Sequence, residues 1–264
     1  MLSKKARITY SFLNFIGFLA VVIVNALAVI LPINNRTTQQ LSDKYPNLFV
    51  PAGITFSIWG IIYILLLVFI IYQFIVAFRK SSLERDIFEK ISILFFISCI
   101  FNVAWILAWH YEIVWLSLII MALLLISLIS IYIRLGTGRQ QVRNPEKILV
   151  NIPFSVYLGW ITIATIANAT AFLVKINWNK FGISDQLWTV IVIAVGVIIT
   201  LATVFSRNDI FYCFVVIWAI VGILLKRIAD NSMPDQLVII ASIVGISIVG
   251  IEIIVQLIRK KKIY

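Results

Sequence analysis

The sequence predicts an all-α fold, a polytopic bundle of about eight transmembrane helices, and three observations predict it. Apolar residues make up 62% of the 264, and charged residues only 12%. Stretches of about 20 apolar residues, the length a helix needs to cross the hydrocarbon layer, recur from one end of the chain to the other. These stretches are unbroken, whereas a membrane β-barrel would show alternating segments of about ten residues.

In chain order the predicted spans are 10–31, 54–78, 91–109, 113–133, 148–174, 188–205, 210–225 and 236–258. Only the very short connection Ser206 to Asp209 separates the sixth from the seventh. The net charge of +11 does not point to nucleic acid, because the basic residues sit in loops and not on a soluble domain. With the N-terminus in the cytoplasm, Lys4, Lys5 and Arg7 lie inside. So do Arg79, Lys80, Arg85 and Lys90; Arg134, Arg139, Arg143 and Lys147; Arg207; and Arg259, Lys260, Lys261 and Lys262. Arg36, Lys44, Lys175, Lys180, Lys226 and Arg227 are left outside. The positive-inside asymmetry therefore places both termini in the cytoplasm and requires an even number of spans.

The first helix has the basic start, apolar middle and Ala26-Leu27-Ala28 of a cleavable signal peptide. Its apolar residues continue to Leu31 and the charge bias works with the helix retained, so the reading is an uncleaved span. Cys99 and Cys213 fall within spans, where free cysteine behaves as a small apolar residue. The lone histidine, His110, sits in a tight turn with Tyr111 and Glu112 and has no second histidine or cysteine cluster beside it. The expectation is a solvated interfacial residue and no metal site. The longest polar connection, 32–51, reads equally as a cover over the mouth of a cavity or as a solvated connector.

Polar and aromatic residues inside the spans carry the functional signal. Trp59 and Tyr63 lie in the second span, Ser98, Asn102, Trp105 and Trp109 in the third, and Tyr157, Trp160, Ala164 and Asn168 in the fifth. Each set recurs at three, four or seven residues and so forms one stripe on one helix. Amide and indole N–H groups are costly when turned towards lipid, which directs the stripes inward. Leu124 is read as a lipid-facing position. Flat indoles and hydrogen-bonding asparagines suit a rigid, largely apolar ligand with a few polar groups. The same residues also suit plain helix-to-helix packing, and spacing alone leaves both readings open.

Three segments resemble the TspO/MBR family of tryptophan-rich sensory and translocator proteins. Trp59-Gly60-Ile61-Ile62-Tyr63 is similar to the family's Trp-Gly-x-x-Tyr, and Asn102-Val103-Ala104-Trp105 to its Asn-x-x-Trp. Tyr157-Leu158-Gly159-Trp160, followed by Ala164, Thr165 and Asn168, gives the fullest match. The resemblance implies a TspO-like five-helix bundle over 1–176 and an additional three-helix region over 177–264. It also implies a ligand site drawing on Trp59, Tyr63, Asn102, Trp105, Trp109, Tyr157, Trp160, Ala164 and Asn168. Gly53 and Ser57 depart from the tryptophan and proline often found in the family, which reshapes the rim. No tyrosine follows Asn168 in its helix, so the cholesterol-recognition pattern of some animal members is missing there. Leu128, Tyr132 and Arg134 satisfy that loose pattern elsewhere.

The resemblance implies an integral membrane protein, in a bacterial cell membrane, that binds a tetrapyrrole, a sterol-like lipid or an aromatic compound, with no cofactor required. The alternatives are a secondary transporter of a small solute and, after it, a membrane enzyme. Glu252 is the only acidic residue deep in a span, with Gln256 and Arg259 one and two turns on. One carboxylate makes neither an acid/base pair nor a coupled ion pathway. Gly196, Gly222 and the pair Ala241 and Gly245 are notches that serve packing within the chain or a homodimer interface.

Overall fold

A computed structural model of the chain describes residues 2–31, 33–79, 86–230 and 235–260. Lys80, Arg85, Lys261 and Lys262, counted above among the loop charges, lie outside the described residues. Every regular element among the described residues is helical. The main helices are α1 (Lys4–Ile30), α2 (Ile58–Phe78), α3 (Leu94–His110), α4 (Val114–Leu135), α5 (Ile152–Lys175), α6 (Asp185–Arg207), α7 (Ile210–Ala229) and α8 (Gln236–Lys260). Seven of these, taken with the short helical turns that lead into α2 and α5, are long and apolar enough to cross a membrane. The other, α3, is equally apolar but has 17 residues, the lower end of what a span requires.

Local chemistry explains where the helices depart from the apolar runs. Ser3 accepts a hydrogen bond from the Ala6 N–H and starts α1 at Lys4, so the helix begins before the apolar stretch does. Arg7, assigned above to a cytoplasmic loop, is consequently inside α1 and buried. A 3-10 turn, Gly53–Ser57, occupies the start of the expected second span. Ser92, with φ of 49°, separates the short helix Asp86–Ile91 from α3. At the end of α4, Gly136 has φ of 67°, a left-handed cap that glycine adopts without strain. The tight link between α6 and α7 consists of Asn208 in the left-handed region and Asp209, whose carboxylate accepts from the N–H groups of Phe211 and Tyr212. Two residues thus close one helix and open the next.

The chain divides into two compact units, 1–38 with 59–158 and 39–58 with 159–264. The division falls within α5, which gives its residues up to Leu158 to the first unit and those from Gly159 to the second.

In the first unit α3 packs against α1 and α4. Gly17 permits the close crossing of α1 and α3, since a Cβ there would lie 3.0 Å from Cys99 Cβ. Phe69, Phe95 and Phe154 meet edge to face, with ring centroids 5.0 to 5.8 Å apart. Leu124, expected to face lipid, is fully buried in this core. Hydrophobicity cannot separate the two environments, because lipid tails are as apolar as a protein interior. Ile126, 58% exposed, faces outward on the same helix.

In the second unit α8 packs against α6 and α7. Gly245 meets Val197, Ile193 and Ile220, and Gly196 meets Ile163, so these notches are filled from within the unit. Segment 39–58 is no solvated connector. Leu41, Tyr45, Phe49 and Val50 are buried. Ala52 N–H donates to the Gly222 carbonyl at 2.9 Å, and Trp218 Nε1 donates to the Thr55 carbonyl at 3.0 Å. A Cβ on Gly222 would overlap the Thr55 side chain; the missing side chain admits the 3-10 turn against α7. Lys226 pairs with Asp43 at the same end. The buried Arg227 lies 3.6 Å from the equally buried Asp235.

Candidate functional site

Five of the residues expected to line a site come together in the first unit. Trp59 and Tyr63, one turn apart on α2, stack with ring centroids 5.7 Å apart. The Trp59 indole also stacks on Trp105 of α3 at 6.1 Å and meets Tyr157 of α5 edge to face at 6.3 Å. Trp59 is thus the hub of a cluster that joins three helices through their broad aromatic faces.

Polar atoms run through this cluster. Asn102, fully buried on α3, donates from Nδ2 to the Tyr157 hydroxyl at 3.0 Å. Its Oδ1 accepts from Asn25 Nδ2 of α1 at 2.8 Å, and Asn25 also donates to the Val21 carbonyl within its own helix. This chain fixes the amide orientation of Asn102. Two buried donors beside it are unused: Trp105 Nε1 and the Tyr63 hydroxyl have no hydrogen-bond partner. A buried N–H or O–H without an acceptor costs about 1 to 3 kcal/mol, so the cluster offers two donors to any acceptor that enters.

The sequence stripes missed Asn25, and with it a second buried pair, Asn14 Nδ2 to Gln73 Oε1 at 3.2 Å between α1 and α2. The signal was present. Arg7, Ser11, Asn14 and Asn25 follow the helical repeat, the last step being eleven residues or about three turns, and all four are buried.

Trp109 stands further out on α3, where its Nε1 donates to the Thr38 carbonyl at 3.5 Å. His110 beside it is not solvated as expected but fully buried. Its Nδ1 lies 3.0 Å from the Ile33 carbonyl and its Nε2 3.1 Å from Thr38 Oγ1. Asn34 Nδ2 donates to the His110 carbonyl, and Arg36 pairs with Glu112 at 3.1 Å. The histidine is a clasp between the end of α3 and the segment after α1, held by hydrogen bonds that water would otherwise supply.

Trp160, Ala164 and Asn168 belong to the second unit. There the buried Trp160 meets Phe56 edge to face at 6.2 Å, Asn168 is buried and Ala164 is half-buried. Glu252, nearly buried on α8, accepts from Gln256 Nε2 at 2.8 Å one turn away. Among the described residues no group of three or more histidine, cysteine or acidic side chains is placed to hold a metal ion. Cys99 and Cys213 are buried free thiols.

The comparisons with known proteins agree with the motifs. No curated protein and no solved structure matches the chain. The model of the TSPO-like protein family matches residues 11–255, a span that takes in the last three helices as well as the first five. With its tryptophan, tyrosine and asparagine stripes set in a membrane bundle, the chain belongs to the TSPO-like protein family.

Proposed function

We propose that this protein binds a hydrophobic small molecule in the aromatic cluster around Trp59, as a receptor or carrier that performs no covalent step. The observation that carries the reading is the pair of unused buried donors, Trp105 Nε1 and the Tyr63 hydroxyl, set against three stacked rings. A rigid, flat molecule with acceptor atoms satisfies both features, the rings through area and the donors through hydrogen bonds. Tetrapyrroles, sterol-like lipids and aromatic compounds have that form, and no cofactor is required. The family resemblance also implies a ligand-binding role for Trp160, Ala164 and Asn168, which belong to the second unit. The protein works in a cell membrane, read from the resemblance as bacterial, with both termini cytoplasmic.

The test is a titration of the full chain in nanodiscs with protoporphyrin IX, a sterol and an aromatic amphiphile, following tryptophan emission. Saturable quenching by at least one of them is expected, with loss of saturation in Trp59→Leu. Unsaturable changes with all three, identical in parent and variant, would overturn the proposal.

A further inference from the structure

The second unit holds a cleft of about 400 Å³, within the size range of small-molecule sites, that the family motifs do not touch. Its floor is apolar: Phe49 from the buried segment, Leu173 near the end of α5 and Val192 in α6. Its walls are two half-buried indoles, Trp178 and Trp188, in edge-to-face contact at 4.7 Å. The lip is the 176–184 connection, where Asn177, Lys180 and Phe181 all have φ between 52° and 56°. Three non-glycine residues held left-handed in so short a loop carry strain that surrounding structure must offset. Asn179 offsets part of it by accepting from the Phe181 N–H.

Several hydrogen-bond donors at this cleft remain unused. The indole N–H groups of Trp178 and Trp188 and the side-chain amide of Asn177 make no hydrogen bond among the described residues, and the Asn179 Nδ2 group is likewise unspent. Some of the acceptors are engaged, and the threonine hydroxyl protons are spent. Asp185 holds Lys180 in an ion pair at 2.5 Å, Asn47 Oδ1 accepts from Phe49 N–H, and Thr170 and Thr189 donate to carbonyls of their own helices. Lys180 at the lip adds a cation that can turn from a carboxylate to an incoming anion.

Tryptophan at a membrane surface commonly serves as an anchor at headgroup level. Here two indoles instead line one concavity, with an apolar floor below and exposed amides above. We propose that this cleft is a small-molecule site, separate from the Trp59 cluster, that takes an amphipathic compound with a flat apolar body and an acceptor-rich head such as a carboxylate, sulfonate or phosphate. The compound arrives from the aqueous side, its rings against the indoles and its head among the indole, amide and ammonium donors.

The test uses the full chain in phosphatidylcholine nanodiscs and two probes with the same aromatic body, 8-anilinonaphthalene-1-sulfonate and the uncharged N-phenyl-1-naphthylamine. Energy transfer from tryptophan reports binding. The sulfonate should give a saturable signal, with at least tenfold tighter binding than the uncharged probe. Asn177→Asp, on an exposed residue, replaces a donor with a like charge and should weaken sulfonate binding at least tenfold; Leu173→Trp, which fills the floor, should abolish it. Ile126→Ala, on the first unit's outer surface, should leave it unchanged. An unsaturable sulfonate signal, equal affinity for the two probes, or unchanged binding in Asn177→Asp would overturn the proposal. So would a phospholipid that native mass spectrometry finds retained by the parent and lost from Leu173→Trp, since that outcome assigns the cleft to the bilayer.

Discussion

Asn102 and Trp105 sit one turn apart on the same stripe, yet the chemistry around them separates packing from recognition. Asn102 satisfies two partners, the Asn25 amide and the Tyr157 hydroxyl, so Asn102→Leu strands both in an apolar interior. Thermal unfolding of that variant should show a loss of about 1 to 3 kcal/mol. Trp105 Nε1 satisfies no partner, so Trp105→Phe keeps an aromatic face against Trp59 and deletes only an unused donor. Its stability should equal or exceed the parent's, while affinity for a ligand of the Trp59 cluster should fall about tenfold, or about 1.4 kcal/mol. If Trp105→Phe binds as the parent does, the indole is packing and the donor argument fails. The residue-scale content of the sequence was legible where polar and aromatic types break an apolar helix: Trp59, Tyr63, Asn102, Trp105 and Tyr157 meet in one cluster. It was illegible where every candidate is apolar. Leu124 and Ile126 are both aliphatic residues of one helix, and only the packed structure shows that the first is buried and the second exposed.

Helix existence followed from hydropathy, but helix ends followed from capping groups that hydropathy ignores. Ser3 extends α1 beyond its apolar run, and Asn208 and Asp209 allow α6 and α7 to be joined with almost no loop. The segment 39–58 illustrates the same limit, since the polar tract Asn34 to Gln40 that leads into it conceals the buried Leu41, Tyr45, Phe49 and Val50 behind it. What seats this segment is a backbone notch. Gly222 leaves room for Thr55, and the Gly222 carbonyl accepts from Ala52 N–H. Gly222→Ala should therefore destabilise the protein by about 1 to 3 kcal/mol, the usual cost of overpacking, even though alanine is the better helix former. Thr55→Gly should recover part of that loss, because it removes the colliding atoms. A double-mutant cycle by thermal unfolding measures the coupling; strictly additive effects would show that Thr55 and Gly222 do not share the notch.

Sidedness is a property of the whole chain, and within each unit side-chain pairs connect loops of the same predicted side. In the first unit Leu2 N–H donates to Glu89, and Lys90 lies 3.9 Å from Glu146, which brings together the N-terminus and the connections before α3 and before α5. The segment after α1 and the end of α3 meet separately, through His110, Asn34 and Thr38. In the second unit Lys226 reaches Asp43, pairing two connections assigned to the opposite side from Arg207. Each of these contacts lies within one unit, and we propose from the positive-inside bias that the group holding the N-terminus faces the cytoplasm. Single cysteines at the exposed positions Gln40 and Gln141 test this directly, because the native Cys99 and Cys213 are buried and give little background. In intact cells an impermeant maleimide should label Gln40→Cys and spare Gln141→Cys, which should react only after the membrane is opened. Labelling of both from the same side would reverse the reading of the loops between them, and labelling of Gln141→Cys alone would invert the protein in the bilayer while leaving its helices as they are.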